Sequence, residues 1–122
     1  MNGETSRPIV LVVEDNSLVR VIIADFLENA GFVVIQAVDG AAALVVLASG
    51  AEFNVLFSDV LMPGPIDGVG VAMRIRAEHP DMPIVLTSGH GMPEAVPLGG
   101  RFMSKPYDNR KVVALLREMV AA

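Results

Sequence analysis

Five side chains in this sequence have the types that phosphoryl chemistry requires, and each stands just beyond a short apolar run. They are the carboxyls of Glu14, Asp15 and Asp59, the hydroxyl of Ser88 and the ammonium of Lys105. A carboxylate can attack phosphorus and form an aspartyl phosphate. The attack needs the charge on the transferring group to be neutralised, which a metal and a lysine can do together. Crowded carboxylates repel one another, so the acidic group makes sense around a hard divalent cation. Magnesium (Mg2+) prefers a few carboxylate and carbonyl oxygens and keeps several waters. Asp15, Asp59 and the backbone carbonyl of Leu61 are the expected direct ligands, with the longer Glu14 acting through water.

These residues converge only if the runs before them are neighbouring strands of one sheet. The runs are IVLVV (9–13), FVVIQA (32–37), NVLF (54–57), IVLT (84–87) and RFM (101–103), and longer segments of helical period lie between them. Continuous runs of this kind are strands buried on both faces, and right-handed crossovers place their carboxyl ends along one edge. The expected fold is α/β, a doubly wound parallel five-stranded sheet of order 2-1-3-4-5 with helices on both faces. Its crevice then lies between the first and third strands, where the winding reverses and where all three acids stand.

The helix ends are legible too. Asn16 or Ser17 can cap the first helix, whose apolar positions are Val19, Ile22, Ile23, Phe26, Leu27 and Ala30, and Gly31 ends it. Asp39 caps the second, and Gly50 closes it. The third runs from about Val69 to Glu78 and stops before Pro80. The last follows Asp108. Between the fourth and fifth strands GMPEAVPLGG holds two prolines and three glycines, so the helix of that crossover is expected to be short or irregular.

The chain has 122 residues, 52% hydrophobic and 19% charged, which suits one globular domain rather than two or a disordered segment. We expect a flexible N-terminus over 1–7 and the domain over 8–122. A net charge of -5 argues against a direct nucleic-acid binder. The absence of cysteine excludes disulfides and thiol catalysis. IVLVV is cut off at Glu14, too short for a signal peptide or a membrane span, so no membrane contact and a cytoplasmic location are expected.

The residues quoted so far, in order and at this spacing, give the sequence a family resemblance. ED after IVLVV, DVLMP around Asp59, TSG around Ser88 and KP at Lys105 resemble the receiver domains of two-component response regulators, over almost the whole chain. The resemblance implies a flavodoxin-like fold and a single-domain phosphoacceptor rather than a dedicated enzyme, with any autophosphatase activity weak and secondary. It implies phosphorylation of Asp59, with Mg2+, by a histidine kinase or histidine phosphotransfer protein, and then altered binding of a downstream protein. By the same resemblance Lys105 is the charge partner of the phosphoryl group, Ser88 the switch hydroxyl and Phe102 the switch aromatic. Three features depart from the common pattern. The loop MPGPIDG is one residue longer, as in receivers of hybrid kinases; the crossover between the fourth and fifth strands is shorter; and Phe102 stands where tyrosine is frequent.

Other readings are weaker. An aspartate-nucleophile phosphatase would resemble DxD, and Leu61 occupies the place of its second acid. A pseudo-receiver that signals by binding alone fits poorly with intact acids and lysine. A phosphate-sink role remains open beside an output switch. GVGVAM (68–73) lacks the third glycine of a dinucleotide loop, and His79 and His90 lack metal-ligand spacing. Leu18 and Val21, off the main stripe of the first helix, offer a face for a partner or a homodimer.

Overall fold

The computed structural model describes residues 7–90 and 99–121. The elements run β1 (Ile9–Val13), α1 (Ser17–Asn29), β2 (Val33–Ala37), α2 (Gly40–Ala48), β3 (Val55–Asp59), α3 (Gly68–Glu78), β4 (Ile84–Ser88), β5 (Arg101–Ser104) and α4 (Asn109–Ala121). The strands are all parallel, in the order β2-β1-β3-β4-β5.

Alternation along the strands divides the apolar residues between two cores. Leu11, Val13, Leu56, Ile84 and Leu86 face α2 and α3, where they pack with Ala43, Leu47, Val71 and Ile75. Val10, Val12, Val55, Phe57 and Val85 point the other way, onto Ile23 and Leu27 of α1 and Val112 and Leu116 of α4. β3 and β4 are buried throughout, as strands covered on both faces must be.

Side-chain caps start the helices. Asn16 Oδ1 accepts from the Val19 N–H at 3.0 Å, Asp39 Oδ1 from Ala42 at 2.8 Å and Asp67 Oδ1 from Gly70 at 2.9 Å. Asp67 therefore opens α3 at Gly68, one residue before the position expected from the sequence. At the other end of α1, Gly31 takes a φ of +104°, a conformation in which glycine avoids the Cβ penalty.

Other boundaries move as well. Asp59 and Ser88 are the last residues of β3 and β4 rather than residues beyond strands ending at Phe57 and Thr87. The ladder continues past the apolar runs because the Val60 N–H donates to the Thr87 carbonyl at 2.8 Å and the Lys105 N–H to that of Ser88 at 2.9 Å. Ile22, placed on the inner stripe of α1 by its spacing, is half exposed and lines a groove beside Pro106 and Tyr107. The crossover expected to be short or irregular falls largely on residues 91–98, outside the described residues, as does most of the N-terminal segment 1–7.

Candidate functional site

The carboxyl ends of β1, β3 and β5 bring an ammonium between two acids. Lys105, just past β5, donates to Glu14 Oε1 at 2.8 Å and to Asp59 Oδ2 at 3.1 Å. Glu14 is 4% exposed and Asp59 9%, so both carboxylates are buried groups that need a partner. The second oxygen of Glu14 accepts from the Asn16 N–H at 3.0 Å. Asp15, next in the chain, is exposed. Each of Glu14, Asp15 and Asp59 offers one carboxylate oxygen, all within 4.8 Å of one another. Three hard oxygen donors at that spacing could hold a divalent metal.

Burial and charge oppose each other here. Burial raises the Asp59 carboxyl above its ordinary value, and the bond to Lys105 offsets this only in part. Burial alone would lower Lys105, but its hydrogen bonds to Glu14 and Asp59 overcome that and carry the ammonium above its usual value.

Tyr107 stacks edge-on against Phe57, with ring centroids 5.5 Å apart. Burial, assisted by the negative charge of Glu14, pushes its phenol up to about 12. Tyr107 is the single tyrosine and the chain has no tryptophan, so absorbance at the phenolate band reads this group alone. Alkaline titration of the folded protein is expected to give a midpoint near 12 against the ordinary phenol value of 10.0. The unfolded chain loses this proton first, so stability falls as pH rises from about 10 towards 12. A midpoint near 10 in protein still folded by circular dichroism would contradict this packing.

Ser88 is 2% exposed, at the end of β4, and its Oγ accepts from the His90 N–H at 3.0 Å. Phe102, on β5, is half-buried against the core shared with α2 and α3. Leu61, two residues beyond Asp59, keeps 51% of its surface in solvent. Of the residues expected from the sequence, the structure thus joins Glu14, Asp15, Asp59 and Lys105 directly and sets Ser88 on the same strand edge.

Sequence reasoning assigned no site role to Asn16, Arg20 and Gly68, which shape this edge. Asn16 was legible as a helix cap, but its bond to Glu14 was not. Arg20 donates from Nη1 to the Glu14 carbonyl at 2.9 Å. Gly68 packs onto the backbone of Asp59, and its N–H donates to the Val60 carbonyl at 2.8 Å.

A groove of about 390 Å³, lined by Val19, Ile22, Lys105, Pro106, Tyr107 and Asn109, runs from this edge between α1 and the turn into α4. A larger one, of about 760 Å³, lies at the opposite end of the sheet by Pro8, Asn54, Arg76 and Pro83. It is remote from the carboxylates, so size does not mark the site.

The family model of the response regulator receiver domain matches residues 10–117, and the chain belongs to that family. It is 31% identical to the transcriptional regulatory protein FixJ of Bradyrhizobium diazoefficiens over 121 residues, covering 95% of this chain and 58% of FixJ. It is 32% identical to the DNA-binding transcriptional regulator NtrC of Escherichia coli over 120 residues, 94% of this chain and 25% of NtrC. An NtrX-like response regulator of Rickettsia bellii matches at 34% over 88% of this chain and 24% of its own length, so the chain spans about a quarter of that relative. Among solved structures, the receiver domain of the hybrid histidine kinase CckA superposes with a TM-score of 0.81 at 31% identity, covering 92% of this chain and 98% of that one. A receiver protein from Sinorhizobium medicae gives 0.89 at 29%, covering 96% and 97%. The protein is therefore a receiver domain of two-component signalling, a family of signalling phosphoacceptors. Such domains bind Mg2+ at an acidic site and are phosphorylated by histidine kinases or phosphotransfer proteins. Among the described residues no helix is long and apolar enough to cross a membrane.

Proposed function

We propose that Asp59 is the phosphoacceptor and that this chain takes a phosphoryl group from a phosphohistidine. The observation that carries the reading is the buried Asp59 carboxylate, bonded to Lys105 and grouped with Glu14 and Asp15 at the crevice of the sheet. In the transfer an Asp59 oxygen forms a bond to phosphorus as the phosphorus–nitrogen bond to the donor imidazole breaks, and the imidazole keeps the bonding electron pair. Lys105 places its charge beside the acceptor oxygen and follows the negative charge onto the phosphoryl group.

The donor set suits Mg2+, which when bound supplies further neutralisation of the transferring group. Asp15, Asp59 and the Leu61 carbonyl would hold it. Both Glu14 oxygens are already bonded, one to Lys105 and one to the Asn16 N–H, which supports an outer role through water for Glu14. Ser88 is the hydroxyl that turns toward the phosphoryl oxygens, releasing the His90 N–H, and Phe102 is the aromatic that repacks with it. Exposed Leu18, Val21 and Ile22 on α1, beside the apolar groove that ends at Lys105, form a face suited to a helical donor such as a histidine kinase or histidine phosphotransfer protein. The exposed apolar Leu61, where a phosphatase would place its second acid, disfavours dedicated hydrolysis and leaves a downstream protein as the reader of the state.

Intact-mass analysis after incubation with a small phosphodonor and Mg2+ tests this. One phosphoryl adduct is expected on the wild type and none on Asp59→Asn. An adduct that persists in the variant moves the site elsewhere, and none on the wild type with either a small donor or a cognate kinase sinks the reading.

A further inference from the structure

Among the described residues, the Asp15 carboxylate makes no hydrogen bond or ion pair, whereas Glu14 and Asp59 are held by Lys105. The aim of Asp15 is therefore set by its backbone. The preceding residue is fixed on both sides. The Glu14 N–H donates to the Ala37 carbonyl at 3.2 Å, and the Glu14 carbonyl accepts from Arg20 Nη1 at 2.9 Å. That carbonyl belongs to the planar peptide joining the two acids, so holding it holds the plane from which Asp15 departs. Arg20 is itself anchored, because its Nε donates to Gln36 Oε1 on β2 at 3.2 Å.

We propose that Arg20 is a positioning residue of the metal site. Its rigid fork ties the Glu14–Asp15 peptide to β2 and so aims the Asp15 carboxylate at the position shared with Asp59. A lysine, with one flexible ammonium, cannot hold both acceptors in this fixed geometry. Both donors of Arg20 named here go to neutral oxygens, which suits a geometric role rather than charge pairing. The proposal rests on the reading that the acidic group binds a divalent cation.

Magnesium titration of the full chain, followed by the amide resonances of Asp15 and Val60, is the test. Arg20→Met keeps the apolar stem but removes the donors, and is expected to weaken Mg2+ binding by about tenfold, the size seen when outer partners of metal ligands are lost. The metal-free unfolding midpoint should stay close to that of the wild type, which a purely structural role would not allow. Phosphoryl uptake from a small donor should need more Mg2+ for half-saturation yet reach the wild-type rate at saturation. Gln36→Leu, which frees the far end of the guanidinium, should weaken binding by a smaller factor. Wild-type affinity in Arg20→Met overturns the proposal. If that variant does not fold, wild-type affinity in both Arg20→Lys and Gln36→Leu overturns it. Failure of the wild type to bind Mg2+ instead overturns the reading of the site, so the two failures are distinct.

Discussion

Replacing Lys105 with alanine is expected to destabilise the protein by about 2 to 3 kcal/mol at neutral pH and to reduce phosphoryl uptake on the order of a hundredfold. The ammonium bridges two carboxylates whose side chains are 6% and 10% exposed, and removing it leaves both buried and uncompensated. A wholly buried pair broken on one side costs about 3 to 5 kcal/mol. Lys105 keeps 25% of its side chain in solvent, so the lower figure applies. For a domain of this size that is a fall of about 10 °C in the unfolding midpoint.

The sign of the pH dependence follows from the carboxylates. Asp59 already sits above its ordinary value because of burial. Without the lysine it rises further, so in the variant the unfolded chain releases that proton before the folded one does. The variant is therefore least stable, relative to the wild type, at neutral pH, and the gap narrows as falling pH neutralises Asp59. The wild-type pair behaves in the opposite sense at high pH. Lys105 lies above its usual value, so its contribution is present below the unfolded lysine range and is lost as pH climbs through the raised folded value. Thermal unfolding of wild type and variant across this range checks both. A gap that widens on acidification would contradict the account.

Gly68→Ala, at the first position of α3, should be more damaging than Gly64→Ala in the loop before it, and by a wide margin. A Cβ at Gly68 would overlap the Asp59 carbonyl oxygen and stand 2.8 Å from its carbon and 2.9 Å from Val60 Cα. All three are backbone atoms, so no side chain can turn aside. Either the first turn of α3 lifts, stretching the 2.8 Å bond from the Gly68 N–H to the Val60 carbonyl, or the end of β3 shifts and carries Asp59 with it. Overpacking of this kind costs about 3 kcal/mol, and a displacement near 1 Å at the acceptor costs on the order of a hundredfold in rate. Gly64 is the contrast. Its φ of +102° strains any other residue, but an added Cβ meets nothing within 4 Å, so Gly64→Ala should cost about 1 to 2 kcal/mol. Urea unfolding and phosphoryl uptake of the two variants decide it. Gly68→Ala within 1 kcal/mol of the wild type would show that the contact yields.

Which parts of this were open to a reader of the sequence follows from the range of the interactions. Caps and strand cores are local, so Asn16, Asp39 and the runs from Ile9 and Ile84 could be placed from neighbouring residues, while crossover chirality put the strand ends on one edge and the order 2-1-3-4-5 came with the doubly wound pattern. The site's cast was legible because each member stands just beyond one of the apolar runs. Contacts across the fold were not. Nothing near Arg20 in the sequence announces that it reaches the Glu14 carbonyl, and nothing near Gly68 announces the backbone of Asp59. The strand ends were read two residues early at Asp59 and one early at Ser88, because apolar runs mark burial by water-avoiding side chains. The ladder there continues on backbone bonds that polar residues make equally well.

The bridge at Lys105 also bears on how the chain is made. The cation stands 91 positions after Glu14 and 46 after Asp59. A ribosome delivers all three acids first, and at about 5 to 20 residues per second it needs roughly 2 to 9 s more to supply the lysine. Until then the edge has its three carboxylates but not the ammonium that bonds Glu14 and Asp59 in the folded chain. That edge is therefore complete only once the chain has been made past the fifth strand.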